Sequence, residues 1–225
     1  MRKLIITPMK EELEFLLQSC TKAEFYAKSA MVGRLPVVRI PDLDVTLARG
    51  GLGKVQFAVQ TQHLLDTCSD WDLIVCTGAA GALADEVSVG DVVVATTTVE
   101  HDYNNKFNKR ALPKFDGAQA AIADLKSVSY STDTFNVHFG PIASGDEDVV
   151  ETERKRMLHE STGALAVAWE GAGGAKACAF SRIPFVEIRG VTDTADHNAA
   201  SDFEDNLGVA MNNLAALIIS WINQA

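Results

Sequence analysis

Two short apolar runs in this 225-residue chain lead directly into acids. The run from Ala164 ends at Trp169-Glu170, and the run from Ile183 to Ile188 leads into Arg189-Gly190-Val191-Thr192-Asp193. A third stretch fits the same pattern: Lys3-Leu4-Ile5-Ile6 is followed by Glu11 and Glu12. Short apolar runs of this kind read as buried strands. In open α/β sheets the carboxyl ends of the strands are where ligands bind. Acids converging on that edge point to proton transfer on a small polar substrate.

Each of these residues also has an ordinary structural reading. Glu12 fits the first turn of a helix, where the dipole favours negative charge. Glu170 is harder to dismiss, because no lysine or arginine lies within five residues of it. Asp193 could cap a turn. Arg189 needs an anionic partner, and Glu187, two residues back on the same strand face, is a candidate. Gly50-Gly51-Leu52-Gly53-Lys54 lacks the spacing of a phosphate loop, since Val55 follows the lysine and the earlier glycine is missing. It and Thr77-Gly78-Ala79-Ala80-Gly81 are expected to be turns at strand ends. His101, His138 and His197 have no metal-like spacing, and no metal is expected.

The elements that must position these residues alternate. Strands are expected over Lys3–Thr7, Leu35–Ile40, Val45–Ala48, Leu73–Cys76, Asp91–Ala95 and His138–Ile142. Helices are expected over Lys10–Gln18, from the glycine turn to His63–Leu65, and over Ala118–Leu125 and Glu151–Glu160. Leu207, Met211, Leu214, Ile218 and Ile222 recur at helical spacing, so a C-terminal amphipathic helix should cover the sheet. Residues 99–117 are polar and aperiodic, and read as a long loop. The alternation implies an α/β fold, and no linker divides residues 1–225, so one domain is expected.

Composition narrows the function. A hydrophobic fraction of 47% is ample for a core, and a formal charge of −10 disfavours nucleic acid or an anionic membrane as partner. Leu4-Ile5-Ile6 is too short for a signal-peptide core, and no run approaches the roughly 18 apolar residues of a membrane span. Cys20, Cys68, Cys76 and Cys178 form no CxxC pair, so a reducing cytoplasm is the expected location.

Several segments taken together resemble the nucleoside phosphorylase/nucleosidase superfamily, most closely its 5′-methylthioadenosine/S-adenosylhomocysteine nucleosidase branch. They are Met9–Glu12, Gly51–Val55, Thr77–Gly81, Ser88–Val94, Ser144-Gly145-Asp146, Trp169–Ala172 and Arg189–Asp196, in family order along nearly the whole chain. The resemblance implies a single-domain, three-layer fold with a central mixed twisted sheet flanked by helices. It also implies hydrolysis of the N9–C1′ bond of a purine nucleoside without a cofactor, in a homodimer. Glu12 would activate water and Arg189 would help hold it. Glu170 would bind the ribose hydroxyls, with Trp169 beneath the sugar, and Asp193 would protonate the purine at N7. Met9, Leu52 and Phe203 match an apolar 5′ pocket, and Ala79, Gly81 and Val149 complete the substrate site. Asn105, Lys106 and Phe107 would reach the site of a partner subunit.

The chain departs from the family at two places. Asp148 stands where the nucleosidases carry a base-stacking aromatic residue. The loop over the 5′ group is apolar in the family but holds Asn104, Asn105, Lys106, Asn108, Lys109 and Arg110 here. A polar or anionic 5′ group, as in futalosine, or a plain purine nucleoside therefore stays open, as does a non-catalytic nucleoside-binding protein. Cys76 and Thr77 occupy the place of the phosphorylases' phosphate-holding arginine, and Ala79 that of their serine. This favours water over phosphate as the nucleophile.

Overall fold

The computed structural model describes residues 1–107, 110–129 and 134–224. Its strands are β1 (Lys3–Thr7), β2 (Lys28–Val32), β3 (Leu35–Ile40), β4 (Val45–Arg49), β5 (Leu73–Ala82), β6 (Val92–Glu100), β7 (Lys114–Asp116), β8 (Val137–Ser144), β9 (Ala166–Ala168) and β10 (Phe185–Asp193). Its helices are α1 (Lys10–Lys22), α2 (Lys54–Thr67), α3 (Gln119–Ser127), α4 (Thr152–Thr162), α5 (Gly171–Ser181) and α6 (Ala199–Gln224).

All the strands join one mixed sheet. β1 lies between β4 and β5, parallel to both, and β5 is parallel to β10. β10 runs antiparallel to β6, β6 is parallel to β8, and β8 is parallel to β9. β9 then pairs back onto β5 through Gly81 opposite Val167. That last pairing closes five strands on themselves, with the ends of β5, β9 and β10 and the segment after β8 around one hollow.

Helices cover both faces. On one face Leu16 and Cys20 of α1, Ile122 and Leu125 of α3, and Met211, Leu214, Ile218 and Trp221 of α6 pack against Ile5, Val75 and Ile188 of the sheet. On the other face Phe57 and Leu64 of α2 and Ala175 and Cys178 of α5 pack against Ile6, Ile74 and Cys76. A full burial of one such aliphatic or aromatic side chain stabilises by about 1.5–3 kcal/mol. The α/β architecture and the covering C-terminal helix are therefore as expected, although α6 begins at Ala199 rather than Asn206.

Three elements escape the periodic pattern. α5 reads Gly-Ala-Gly-Gly-Ala-Lys-Ala-Cys-Ala-Phe-Ser and is buried on nearly every side, so it has no apolar stripe to reveal it. Its small residues serve close packing: a Cβ on Gly173 would lie 2.2 Å from the Lys54 carbonyl oxygen of α2. β2 is a largely exposed edge strand. β7 and the end of β6 take up parts of the stretch expected to be one loop over 99–117. Asn108 and Lys109 of that stretch lie outside the described residues. The expected turn after Cys76 is also corrected, because β5 continues through Thr77–Gly81 to Ala82, held by β10 along its length. No described helix is long and apolar enough to cross a membrane.

Candidate active site

Glu12 sits in the first turn of α1, yet it is only 2% exposed. The chain leaves β1 through Thr7-Pro8 and turns into the helix, and the Met9 N–H donates to Glu12 Oε2 at 2.8 Å. The other oxygen, Oε1, accepts the Ala79 N–H of β5 at 2.8 Å. Gly78 makes this approach possible. Its φ is 150°, and a Cβ there would lie 2.6 Å from Glu12 Oε1. Burial pushes the Glu12 carboxyl up to about 7, outweighing its two backbone hydrogen bonds and the pull of Arg189. The solvated first-turn reading therefore fails for Glu12, while Glu11 beside it is exposed.

Arg189 of β10 is 1% exposed and holds the acids together. Its Nε donates to Glu187 Oε1 at 2.9 Å, Nη2 to Glu170 Oε2 at 3.3 Å and Nη1 to the Ala79 carbonyl at 3.4 Å. Glu187 is thus the expected partner, but not the only one. The Glu187 carboxylate is itself held by the Thr98 hydroxyl at 2.6 Å.

Glu170 occupies the position just before the first turn of α5 and is 3% exposed. Its Oε1 accepts the Gly53 N–H at 3.1 Å. The turn before it is fixed by Ser144 at the end of β8, whose hydroxyl donates to the Trp169 carbonyl at 2.8 Å and accepts the Ala172 N–H at 2.9 Å. Burial raises the Glu170 carboxyl, and the Arg189 guanidinium opposes that rise.

Asp193 ends β10, 8% exposed. Its Oδ2 accepts the Thr192 hydroxyl at 2.8 Å and its Oδ1 the Ala195 N–H at 2.9 Å. The turn-capping reading is therefore correct, but it does not exhaust the residue's position. Burial raises the Asp193 carboxyl, and the nearby Asp202 and Asp196 add to the rise against these two hydrogen bonds.

These four side chains line a single cleft of about 480 Å3. Met9, Leu52, Ala79, Gly81, Val149, Trp169 and Phe203 line it too, so one chain brings together the expected site residues apart from those of the 5′ loop. Asp148 stands on the same wall, as an exposed carboxylate where a stacking ring was absent from the sequence. Sequence reasoning missed Thr192, Gly53 and Ser144 as the groups that orient the acids. All three sit in motifs already noticed, but the roles of Gly53 and Ser144 depend on partners far away in sequence. Asn105, Lys106 and Phe107 are not part of this cleft. They border a second hollow of about 460 Å3 with Lys54, Glu100 and Asp102, and Phe107 is 98% exposed.

Of the three histidines singled out in the sequence, His138 Nε2 bonds Asp91 at 2.8 Å, His101 is buried 3.6 Å from Glu147, and His197 is exposed. Among the described residues no His, Cys, Asp or Glu cluster could hold a metal ion.

Gly81 gives a direct test of the geometry. A Cβ there would lie 2.6 Å from Asp193 Oδ1. Gly81→Ala should displace that carboxylate and destabilise by about 1–3 kcal/mol through overpacking. Urea unfolding and turnover measured together check this, and an unchanged midpoint with full activity would show the contact to be looser than described.

The family model of the phosphorylase superfamily matches residues 2–223. A 5′-methylthioadenosine/S-adenosylhomocysteine nucleosidase from Tolumonas auensis is 31% identical over 191 residues, covering 80% of this chain and 82% of its own. The nucleosidase of the same name from Neisseria meningitidis, solved with methylthio-immucillin-A, superposes with a TM-score of 0.89 at 28% identity, covering 100% and 99% of the two chains. A futalosine hydrolase from Helicobacter pylori shares the fold with a TM-score of 0.87 at 24% identity over 100% of this chain and 98% of its own.

Proposed function

This chain belongs to the phosphorylase superfamily, and from that premise we propose that it hydrolyses the N9–C1′ bond of nucleosides of the 5′-methylthioadenosine and S-adenosylhomocysteine type. The observation that carries the reading is the set of three buried acids, Glu12, Glu170 and Asp193, around one apolar-walled cleft. A pure binding module has little use for buried carboxyls with raised proton affinity, whereas acid–base chemistry requires them.

The reaction follows from their placement. Cleavage passes through an oxocarbenium-like sugar, as in other glycosidic hydrolyses. The C1′–N9 bonding pair leaves with the purine, and Asp193, whose proton affinity burial raises, donates a proton at N7. Glu12 accepts a proton from water as its oxygen bonds to C1′. A carboxyl near 7 suits that task at neutral pH. Arg189 favours the charged forms of Glu12 and Glu170 against the effect of burial, beside the developing cation, and helps hold the water. Glu170 accepts the ribose hydroxyls, with Trp169 beneath the ring. Met9, Leu52 and Phe203 supply the wall for an alkylthio group, and Ala79, Gly81 and Val149 close around the base and sugar. Burial of a methylthio group contributes about 1–2 kcal/mol by area.

Two further parts of the proposal concern assembly and location. Phe107 is nearly fully exposed, and with Asn105 and Lys106 it would reach the cleft of a partner in a homodimer. The site would work in the cytoplasm, where methionine-derived nucleosides are salvaged.

The test is cleavage of 5′-methylthioadenosine, S-adenosylhomocysteine, adenosine, inosine and futalosine with and without phosphate. Free base and free sugar should appear at the same rate in both conditions, with the alkylthio nucleosides giving the highest kcat/KM. Strict phosphate dependence with ribose 1-phosphate as product overturns hydrolysis. A good acid-bearing substrate alongside poor alkylthio ones overturns the substrate class, and a bound but uncleaved nucleoside overturns catalysis.

A further inference from the structure

We propose that Asp102, Lys54 and Asp146 act as a positioning relay that sets Glu170 for the sugar through the Gly53 N–H. The inference rests on Glu170 reading the ribose hydroxyls.

The relay is a closed ring of hydrogen bonds drawn from distant segments. The Lys54 N–H donates to Asp146 Oδ1 at 2.7 Å, and the Asp146 N–H donates to Asp102 Oδ2 at 3.0 Å. The other oxygen of Asp102 takes the Lys54 ammonium, which closes the ring. The same ammonium lies 3.1 Å from Glu100, and Lys176 Nζ lies 2.7 Å from that carboxylate. The Lys54 side chain is only 16% exposed, so its charge is held by these acids rather than by water. Burial alone would lower its proton affinity, but the Asp102 and Glu100 partners raise it.

One end of this ring touches the active cleft. Gly53 precedes Lys54, has φ 79°, and presents its N–H to Glu170 at 3.1 Å. A Cβ on Gly53 would lie 3.2 Å from Asp146 Oδ1, so the turn is pressed against the relay. The other end borders the second hollow, whose remaining wall is Tyr103 to Phe107. A staple of the fold alone would not need to finish on an acid lining the substrate cleft. As a positioning device, the ring fixes where the Gly53 N–H points and therefore how the Glu170 carboxylate, held at its other oxygen by Arg189, turns its remaining lone pairs to a sugar hydroxyl.

Asp102→Asn tests this, since the amide keeps an acceptor for Asp146 but loses the ion pair with Lys54. KM for 5′-methylthioadenosine should rise about tenfold with kcat held within about threefold, a coupling typical of neighbouring groups. In a Glu170→Gln background the same substitution should change KM by less than about twofold, because the relay then has nothing to position. The penalty should also shrink for a 2′-deoxy analogue, while Asp102→Glu recovers part of the affinity. An Asp102→Asn effect that is equal in both backgrounds, or an unchanged KM with only a lowered melting temperature, overturns the relay and leaves a structural staple. If Asp102→Asn does not accumulate as folded protein, Asp146→Asn at the exposed corner of the ring carries the same comparison. Calorimetric binding of the nucleosides reads the relay even where the parent releases no base. Failure of the hydrolytic reading is thus seen separately.

Discussion

Asp193→Asn should lower kcat on 5′-methylthioadenosine by at least about 10²-fold, the scale of one lost general acid. The substitution is nearly isosteric. Its amide oxygen can still accept the Ala195 N–H that now bonds Oδ1 at 2.9 Å, so the turn after β10 should survive. What is lost is the proton for the departing purine. Burial raises the Asp193 carboxyl, with Asp202 and Asp196 adding to it, a shift in the direction that favours the proton-carrying form of an acid. The decisive comparison uses a substrate whose leaving group needs no protonation, such as a nitrophenyl riboside. Its cleavage should be far less sensitive to Asp193→Asn. Near-normal turnover of the purine nucleoside by the variant would remove Asp193 from the role of acid.

Glu12→Gln should also lower kcat by at least about 10²-fold, and it should change the pH profile. In the parent, Glu12 titrates at about 7. As the water-activating base it works only when ionised, so kcat/KM should fall as pH drops below about 7, tending to a tenfold loss per unit. The variant has no such group and should lose that limb. The sign follows from the shift: burial raises this carboxyl above its unfolded value of 4.5, so its ionised form is the costly one in the folded chain. The amide of the variant offers one acceptor to two donors, the Met9 and Ala79 N–H groups. Some stability, about 1–3 kcal/mol, should be lost as well. Circular dichroism at the assay temperature separates that loss from the chemical one. An acid limb that persists in Glu12→Gln would assign the titration to another group.

Most of the site was legible in the residues because its acids follow strands, and strands announce themselves by short apolar runs. Glu12, Glu170 and Asp193 each stood just beyond such a run, and all three line one cleft. α5 was not legible, because a helix of glycine and alanine buried on nearly every side has no 3.6-residue stripe. The Thr77–Gly81 segment was misread as a turn for a related reason. Glycines at a strand end usually break it, but here pairing with β10 carries β5 through them, and Gly78 and Gly81 instead make room for Glu12 and Asp193. Asn105, Lys106 and Phe107 were expected at a partner's site, which no single chain contains; within this chain they border the hollow beside Lys54.

Residue type and spacing alone determine an α/β chain with acids at the ends of its strands, because periodicity and turn chemistry are local. Tertiary structure decided what those acids are. Whether Glu12 is a solvated helix-start residue or a buried base near 7 depends on Ala79 and Arg189, which lie 67 and 177 positions away in the chain. Desolvation and charge coupling act across space, and no window of sequence contains them.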